Sequence, residues 1–208
     1  MMLNIKKLIF CGLMLNWIYA NPSLRTCKVS NTTEKYLCVV GKSGVKINKK
    51  EGDGGTPKGI FTLQPTLYYR ADHLKKSEIE ILKASENHGF ITKILEPQDI
   101  WVDDPKSEKY NQFALISEID PKISHEKLYR DDDLYDIVLV INYNTHPIIS
   151  HKGSAIFIHI ARKKNQSYGS TDGCVAFSKT DLLKIIAQIN TNTQIKIPKN
   201  SLKKIVFL

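Results

Sequence analysis

Two residues of this chain have the types and spacing of a nucleophile and its base. Cys174 lies in the run Tyr168-Gly169-Ser170-Thr171-Asp172-Gly173-Cys174-Val175-Ala176-Phe177, and His159 lies upstream in the apolar run Ser154 to Ile160. The thiolate is the reactive form of cysteine, and an imidazole within reach either takes the thiol proton or holds a thiolate–imidazolium pair. The 14 residues between them let the chain leave a strand, loop through Arg162 to Tyr168 and bring the thiol back to the strand's open end. The backbone N–H groups of Gly173 and Cys174, in a tight turn ahead of a helix, are suited to an oxyanion. Gly169 to Gly173 form a polar turn, which predicts an exposed thiol. The competing reading is a structural histidine beside an ordinary helix entry.

These groups need a scaffold, and strand signals dominate both ends of the chain. Lys35 to Ile47, Gly59 to Pro65, Asp136 to Tyr143, Pro147 to Ser150, Ser154 to Ile160, Thr193 to Ile197 and Lys203 to Leu208 are short and rich in Val, Ile, Phe and Tyr. Period-two geometry puts Ile156, Ile158 and Ile160 on one face and Ala155, Phe157 and His159 on the other. Ser178 reads as an N-cap, with Asp181 in the first turn and Leu182, Leu183, Ile186 and Ile189 as an apolar stripe, so a helix follows the cysteine turn directly. Between Thr66 and Tyr135 alternation weakens. A helix is expected over Ser77 to Ser85, with dense charge and aromatics around Trp101 to Pro105, Tyr110-Asn111 and Arg130 to Asp133. This stretch reads as an insertion forming one wall of a cleft. The expected architecture is a mainly β, β-rich α+β sandwich-like domain with a helix after Cys174 and this mixed insertion. Tyr143, Asn144 and His146, at the end of a strand expected beside His159, are candidate cleft residues.

The 208 residues, 42% of them hydrophobic, suit one core rather than two. Met1 to Lys7 is cationic, Leu8 to Ile18 apolar, and Ile18-Tyr19-Ala20 a cleavage site, so residues 1–20 read as a secretory signal and 21–208 as one domain. The apolar run is too short for a spanning helix, and Cys11 lacks the setting of a lipidation site. Export to a periplasm or cell-wall space permits disulfides. Cys27 and Cys38 bracket a short hairpin, Thr26 to Val29 and Tyr36 to Val40, and are placed to pair across it, which leaves Cys174 odd. The net charge of +9 suits an anionic polymer. Lysines and arginines are scattered rather than interleaved with aromatics, against nucleic acid. The residues specify no oligomeric state.

On two motifs the chain resembles the L,D-transpeptidase (YkuD-type) catalytic domain family. Gly55-Thr56-Pro57-Lys58-Gly59-Ile60-Phe61 is similar to the family's TPxGxF segment, and His159 followed by Thr171-Asp172-Gly173-Cys174-Val175 is similar to its histidine and Ser/Thr-x-Gly-Cys signature. The resemblance implies a β-rich domain whose cysteine attacks the carbonyl between an L- and a D-centre of a peptidoglycan stem peptide, usually at diaminopimelate. D-alanine leaves, and an amine of another stem (transpeptidation) or water (carboxypeptidation) takes the acyl group. It implies Cys174 as nucleophile, His159 as general base and acid, a backbone carbonyl beside the histidine as the third member, Gly173 and Cys174 as oxyanion donors, and no metal or organic cofactor.

Two departures from the family pattern stand out. Asp172 replaces a common histidine, which would raise the thiol pKa unless a cation such as Arg162 compensates; Ala176 replaces an arginine, removing a substrate-carboxylate contact. Arg162, Ser170, Thr171 and Asp172 are taken as substrate-binding candidates. Two alternatives remain: a catalytically silent wall-binding module, and a metal site built from His151, His159 and Cys174.

Overall fold

The computed structural model describes residues 23–30, 32–164, 167–199 and 204–208; the expected signal at residues 1–20, with Cys11, lies outside them. Its strands are β1 (Leu24–Val29), β2 (Tyr36–Val39), β3 (Val45–Lys46), β4 (Thr56–Pro57), β5 (Gly59–Tyr69), β6 (Ile91–Ile94), β7 (Asp99–Val102), β8 (Gln112–Leu115), β9 (His125–Lys127), β10 (Ile137–Ile141), β11 (Phe157–Ile160), β12 (Lys163–Lys164), β13 (Ser167–Tyr168), β14 (Val175–Phe177), β15 (Gln194–Ile197) and β16 (Ile205–Phe207). The helices α1 (Lys76–Ala84) and α2 (Lys179–Ile186) complete the main elements.

The main sheet runs β10-β11-β14-β2-β1-β16-β15-β5-β6, and β5 pairs again with β10. The mainly β domain expected from sequence is thus one sheet closed on itself. Closure depends on the length of β5: Gly59 to Thr62 pair with β15, and Leu63 to Tyr69 pair with β10 along the opposite edge. Pro65, which lacks a backbone N–H, falls where β15 has ended and the register with β10 shifts, so the strand continues past it without forfeiting a ladder bond.

Alternation along the strands separates two interiors. Ile156, Ile158 and Ile160 pack in the main core with Val175, Phe177, Leu139, Ile195 and Phe207. Ala155, Phe157, Val138, Val140 and Cys174 belong to a second cluster with Tyr68, Leu95, Trp101, Leu128, Leu134 and Tyr135. The partners in this second cluster come mainly from the 66–135 segment, whose small sheet runs β8-β7-β9. Trp101 meets Phe157 edge-on at 5.2 Å, and burying rings of this size is worth roughly 1.5–3 kcal/mol each. The insertion is held over the outer face of β10 and β11 by that burial.

Helix α2 starts where the sequence places it: Ser178 Oγ accepts the Asp181 N–H at 3.0 Å, and Leu182, Leu183, Ile185 and Ile186 are buried. The predicted Pro147–Ser150 strand is absent. Asn144, in a left-handed conformation, accepts the Ile149 N–H at 2.8 Å and donates to the carbonyls of Ile149 and Gly153, both at 2.9 Å, consuming the groups a strand would pair. The Lys35–Ile47 run divides into β2 and β3, separated by a turn at Gly41–Gly44.

Cys27 and Cys38 form a disulfide across the β1–β2 hairpin, and Cys174 is free. Closing a loop with a sequence separation of 11 contributes about 2–3 kcal/mol. The Cys27→Ser/Cys38→Ser variant is expected to lose about that much in denaturant melts, and unchanged stability would show that the hairpin is held by packing alone.

Candidate active site

Cys174 and His159 come together through one ladder. β11 and β14 pair in parallel with Ile158 opposite Val175 and His159 opposite Ala176, so Cys174, one residue before β14, continues that register beside Phe157. Phe157, His159, Cys174 and Ala176 therefore share the outer face, where residues of the insertion pack on Phe157, Cys174 and His159 and Ala176 packs with Leu24, Val39 and Ala161. Both Cys174 and His159 line a cavity of about 360 Å³.

The thiol is more enclosed than the polar turn suggested, at 7% exposure. The polarity of Ser170 to Asp172 describes the turn, whereas the sulfur projects from the strand entry toward the insertion. It accepts the Phe157 N–H at 3.3 Å and donates to the Ala155 carbonyl at 3.2 Å. Ala155 has a φ of 51°, uncommon for a residue with a Cβ. It is held there as its N–H donates to Asn111 Oδ1 at 3.0 Å, which aims its carbonyl at the sulfur.

His159 is buried, with Nδ1 2.8 Å from the Ile160 carbonyl. A proton on Nδ1 donated there leaves Nε2 as the free base. Tyr135 packs edge-on at 5.2 Å. Burial lowers the imidazole to about 4, with the Ile160 carbonyl pulling upward and Arg130 adding to the fall. Burial pushes the Cys174 thiol well up, with nearby Glu126 adding to it; the Phe157 N–H and Lys49 oppose this. Both shifts favour uncharged forms, so the resting pair is thiol and imidazole rather than thiolate and imidazolium.

The two motifs pack on each other. Thr56 Oγ1 donates to the Cys174 carbonyl at 3.4 Å and accepts the Gly41 N–H at 2.8 Å. Thr171 Oγ1 donates to the same Cys174 carbonyl at 2.7 Å. A Cβ on Gly173 would stand 3.1 Å from both the Gly55 carbonyl oxygen and Ile156 Cδ1, so glycine permits this approach. The Gly173 N–H is turned onto Thr171 Oγ1 at 3.2 Å.

Of the other expected site residues, Arg162, Ser170, Thr171 and Asp172 line the cavity and Tyr143, Asn144 and His146 do not. The chain folds back at the end of β10, where Tyr143 N–H donates to the Ile141 carbonyl at 2.6 Å. Tyr143 then packs edge-on against Phe61 and lines a neighbouring cavity with His151 and Lys152. Asn144 ties the loop as described, and His146 is exposed. The cation beside Asp172 is Lys42 at 2.7 Å, not Arg162, which lies 3.6 Å from Asp132. His151 is outside the cavity of His159 and Cys174, and among the described residues no group of three His, Cys, Asp or Glu side chains converges to hold a metal. Sequence reasoning missed Lys49, Glu51, Asp103, Glu126, Arg130 and Tyr135, which also line the cavity. For the four that belong to the insertion its charge density was the available signal, whereas Lys49 and Glu51 precede it, and only pairing in space selects which charges face inward.

A family model described as the L,D-transpeptidase catalytic domain (YkuD) matches residues 16–197. No curated protein and no solved structure matches the chain.

A neutral resting pair predicts the pH dependence of thiol chemistry. Alkylation of Cys174 by iodoacetamide should climb about tenfold per pH unit between about pH 6 and 9, following the thiolate fraction of a high-pKa thiol. A rate that is flat over this range would instead demonstrate a preformed thiolate–imidazolium pair.

Proposed function

The chain belongs to the L,D-transpeptidase catalytic domain family, and on that premise we propose that it is an exported cysteine acyl-transferase acting on peptidoglycan stem peptides. The observation that carries this reading is the shared cavity on one face of the β11–β14 ladder, with a free cysteine and a histidine whose Nδ1 is engaged by a backbone carbonyl. The Cys27–Cys38 disulfide supports an oxidising compartment, in keeping with the leader read at residues 1–20.

In the proposed reaction Cys174 Sγ attacks the carbonyl that joins the L-centre to D-alanine while Nε2 of His159 takes the thiol proton. Because both groups rest uncharged, proton transfer accompanies carbon–sulfur bond formation. The tetrahedral oxygen is held by the Cys174 N–H, and by the Gly173 N–H once it leaves Thr171 Oγ1. His159 returns the proton to the departing D-alanine nitrogen, leaving a thioester on Cys174. An acceptor amine then attacks the thioester, passes its proton to His159 and releases cross-linked product and thiol. Water in the same role gives carboxypeptidase cleavage. The enclosure of the sulfur beneath the insertion favours the amine, because a covered thioester is shielded from bulk water. No step requires a metal or organic cofactor.

Cys174→Ala and His159→Ala are each expected to abolish D-alanine release from tetrapeptide stems, read by mass analysis of digested peptidoglycan. Full rate in either variant rejects the mechanism, and binding of stems without turnover by the wild-type protein identifies a silent module. The base works only when neutral, and its value of about 4 lies below that of free histidine. Activity should therefore persist as pH falls through 6.5 and be lost only toward about 4; an acid limb near 6.5 would place the base elsewhere.

A further inference from the structure

The charges lining the cavity are unequally compensated. Lys49 pairs with Asp53 at 2.8 Å, and Arg130 with Asp132 at 2.8 Å. Arg162 also faces Asp132, and Asp172 meets Lys42. The remaining carboxyls, Glu51, Asp103 and Glu126, form no ion pair among the described residues, although Arg130, held by Asp132, is near enough to act on Glu126 through space. Glu51 takes the hydroxyls of Tyr110 and Ser154, and Glu126 Oε2 takes that of Tyr135 at 2.6 Å. Asp103 Oδ1 is buried with no hydrogen-bond partner at all among the described residues, a costly arrangement for a carboxylate oxygen.

The insertion's small sheet explains why two of these acids stand together. Glu126 lies directly opposite Trp101 in the β7–β9 pairing, and the register continues through Asp103 N–H, which donates to the Ser124 carbonyl at 3.2 Å. Trp101, Asp103 and Glu126 therefore project from one face, the one Trp101 sets against Phe157. Burial raises the carboxyl of Glu126 and Asp103 adds to the rise, against the pull of the Tyr135 hydroxyl and of Arg130; a bound cation between the two acids would relieve their repulsion.

We propose that Glu126 and Asp103 form a subsite for a primary ammonium group, placed beside Cys174 so that the amine-bearing side chain of a stem peptide is selected before acyl transfer. This rests on the function proposed above and extends it to the chemistry of the substrate. The ammonium brings three donors, for Asp103 Oδ1 and for Glu126 Oε1, which has no partner among the described residues. It can belong to the acyl donor, or to the acyl acceptor, whose nitrogen then gives one proton to a carboxylate of the subsite before it attacks the thioester as the neutral amine.

Glu126→Gln and Asp103→Asn test the subsite while removing little volume, and glutamine keeps an oxygen for the Tyr135 hydroxyl. In the donor arm, kcat/KM is measured for a tetrapeptide stem with its side-chain amine free or N-acetylated. In the acceptor arm, the transfer-to-hydrolysis ratio is measured with a tripeptide stem whose amine is the acceptor. The wild-type protein is expected to favour the free amine by about tenfold or more, and both variants to bring that preference toward one. Loss in the donor arm assigns the ammonium to the donor, loss in the acceptor arm to the acceptor, and either supports the subsite. A preference unchanged in both arms, or both donors slowed equally with their ratio intact, overturns it. If the wild-type protein turns over neither peptide, the acyl-transfer reading fails separately. Calorimetric binding of the same two tetrapeptides to the otherwise unaltered Cys174→Ala chain then decides the subsite: tighter binding of the free amine that Glu126→Gln removes sustains it, and equal binding overturns it.

Discussion

The parallel pairing of β11 with β14 is the constraint on which the site depends. By setting Ile158 against Val175, it puts every second residue of both strands into the closed sheet's core and the alternate residues onto its outer face. Cys174 and His159 share that outer face because of register, not proximity in sequence. A one-residue slip would send the sulfur inward and an isoleucine outward. The core residues Ile156, Ile158, Ile160, Val175 and Phe177 make such a slip expensive, so hydrophobic burial on one side of the sheet fixes chemistry on the other.

Covering that outer face changes what the chemistry can be. The insertion buries Phe157 under Trp101 and closes over the sulfur. In this enclosure desolvation keeps the thiol protonated and the imidazole neutral. The cysteine therefore rests as a buried thiol rather than as an exposed thiolate open to oxidants. The same enclosure gives unequal weight to charged residues in the wall. Several are held in ion pairs, and Asp103 is left with one buried oxygen that has no hydrogen-bond partner among the described residues.

The cysteine turn is also a junction between distant parts of the chain. The Cys174 carbonyl accepts from both Thr171 and Thr56, and Gly173 lies against the Gly55 backbone. The Gly55–Phe61 motif thus buttresses the Cys174 backbone through its carbonyl. Its threonine and glycines are demanded by hydrogen bonding and close approach.

Local physics was enough for several features to be read from the residues alone. Period-two alternation separated Ile156, Ile158 and Ile160 from Ala155, Phe157 and His159; Ser178 capped its helix; and the two motifs indicated the family. What the residues left undecided was set by contacts between segments far apart in the chain. The 147–150 stretch has strand-like composition, yet Asn144 takes its backbone groups. The turn around Cys174 is polar, yet its sulfur is buried, because exposure depends on what packs above a strand entry. Tyr143, Asn144 and His146 were expected in the cleft from the end of a neighbouring strand, but the chain reverses after Ile141. Asp103 and Glu126 lie 23 residues apart in sequence, and β7 had to pair with β9 before their charges could meet. Alternation and capping act over a few residues and are written in composition, whereas register, burial and charge pairing arise only when the sheet closes.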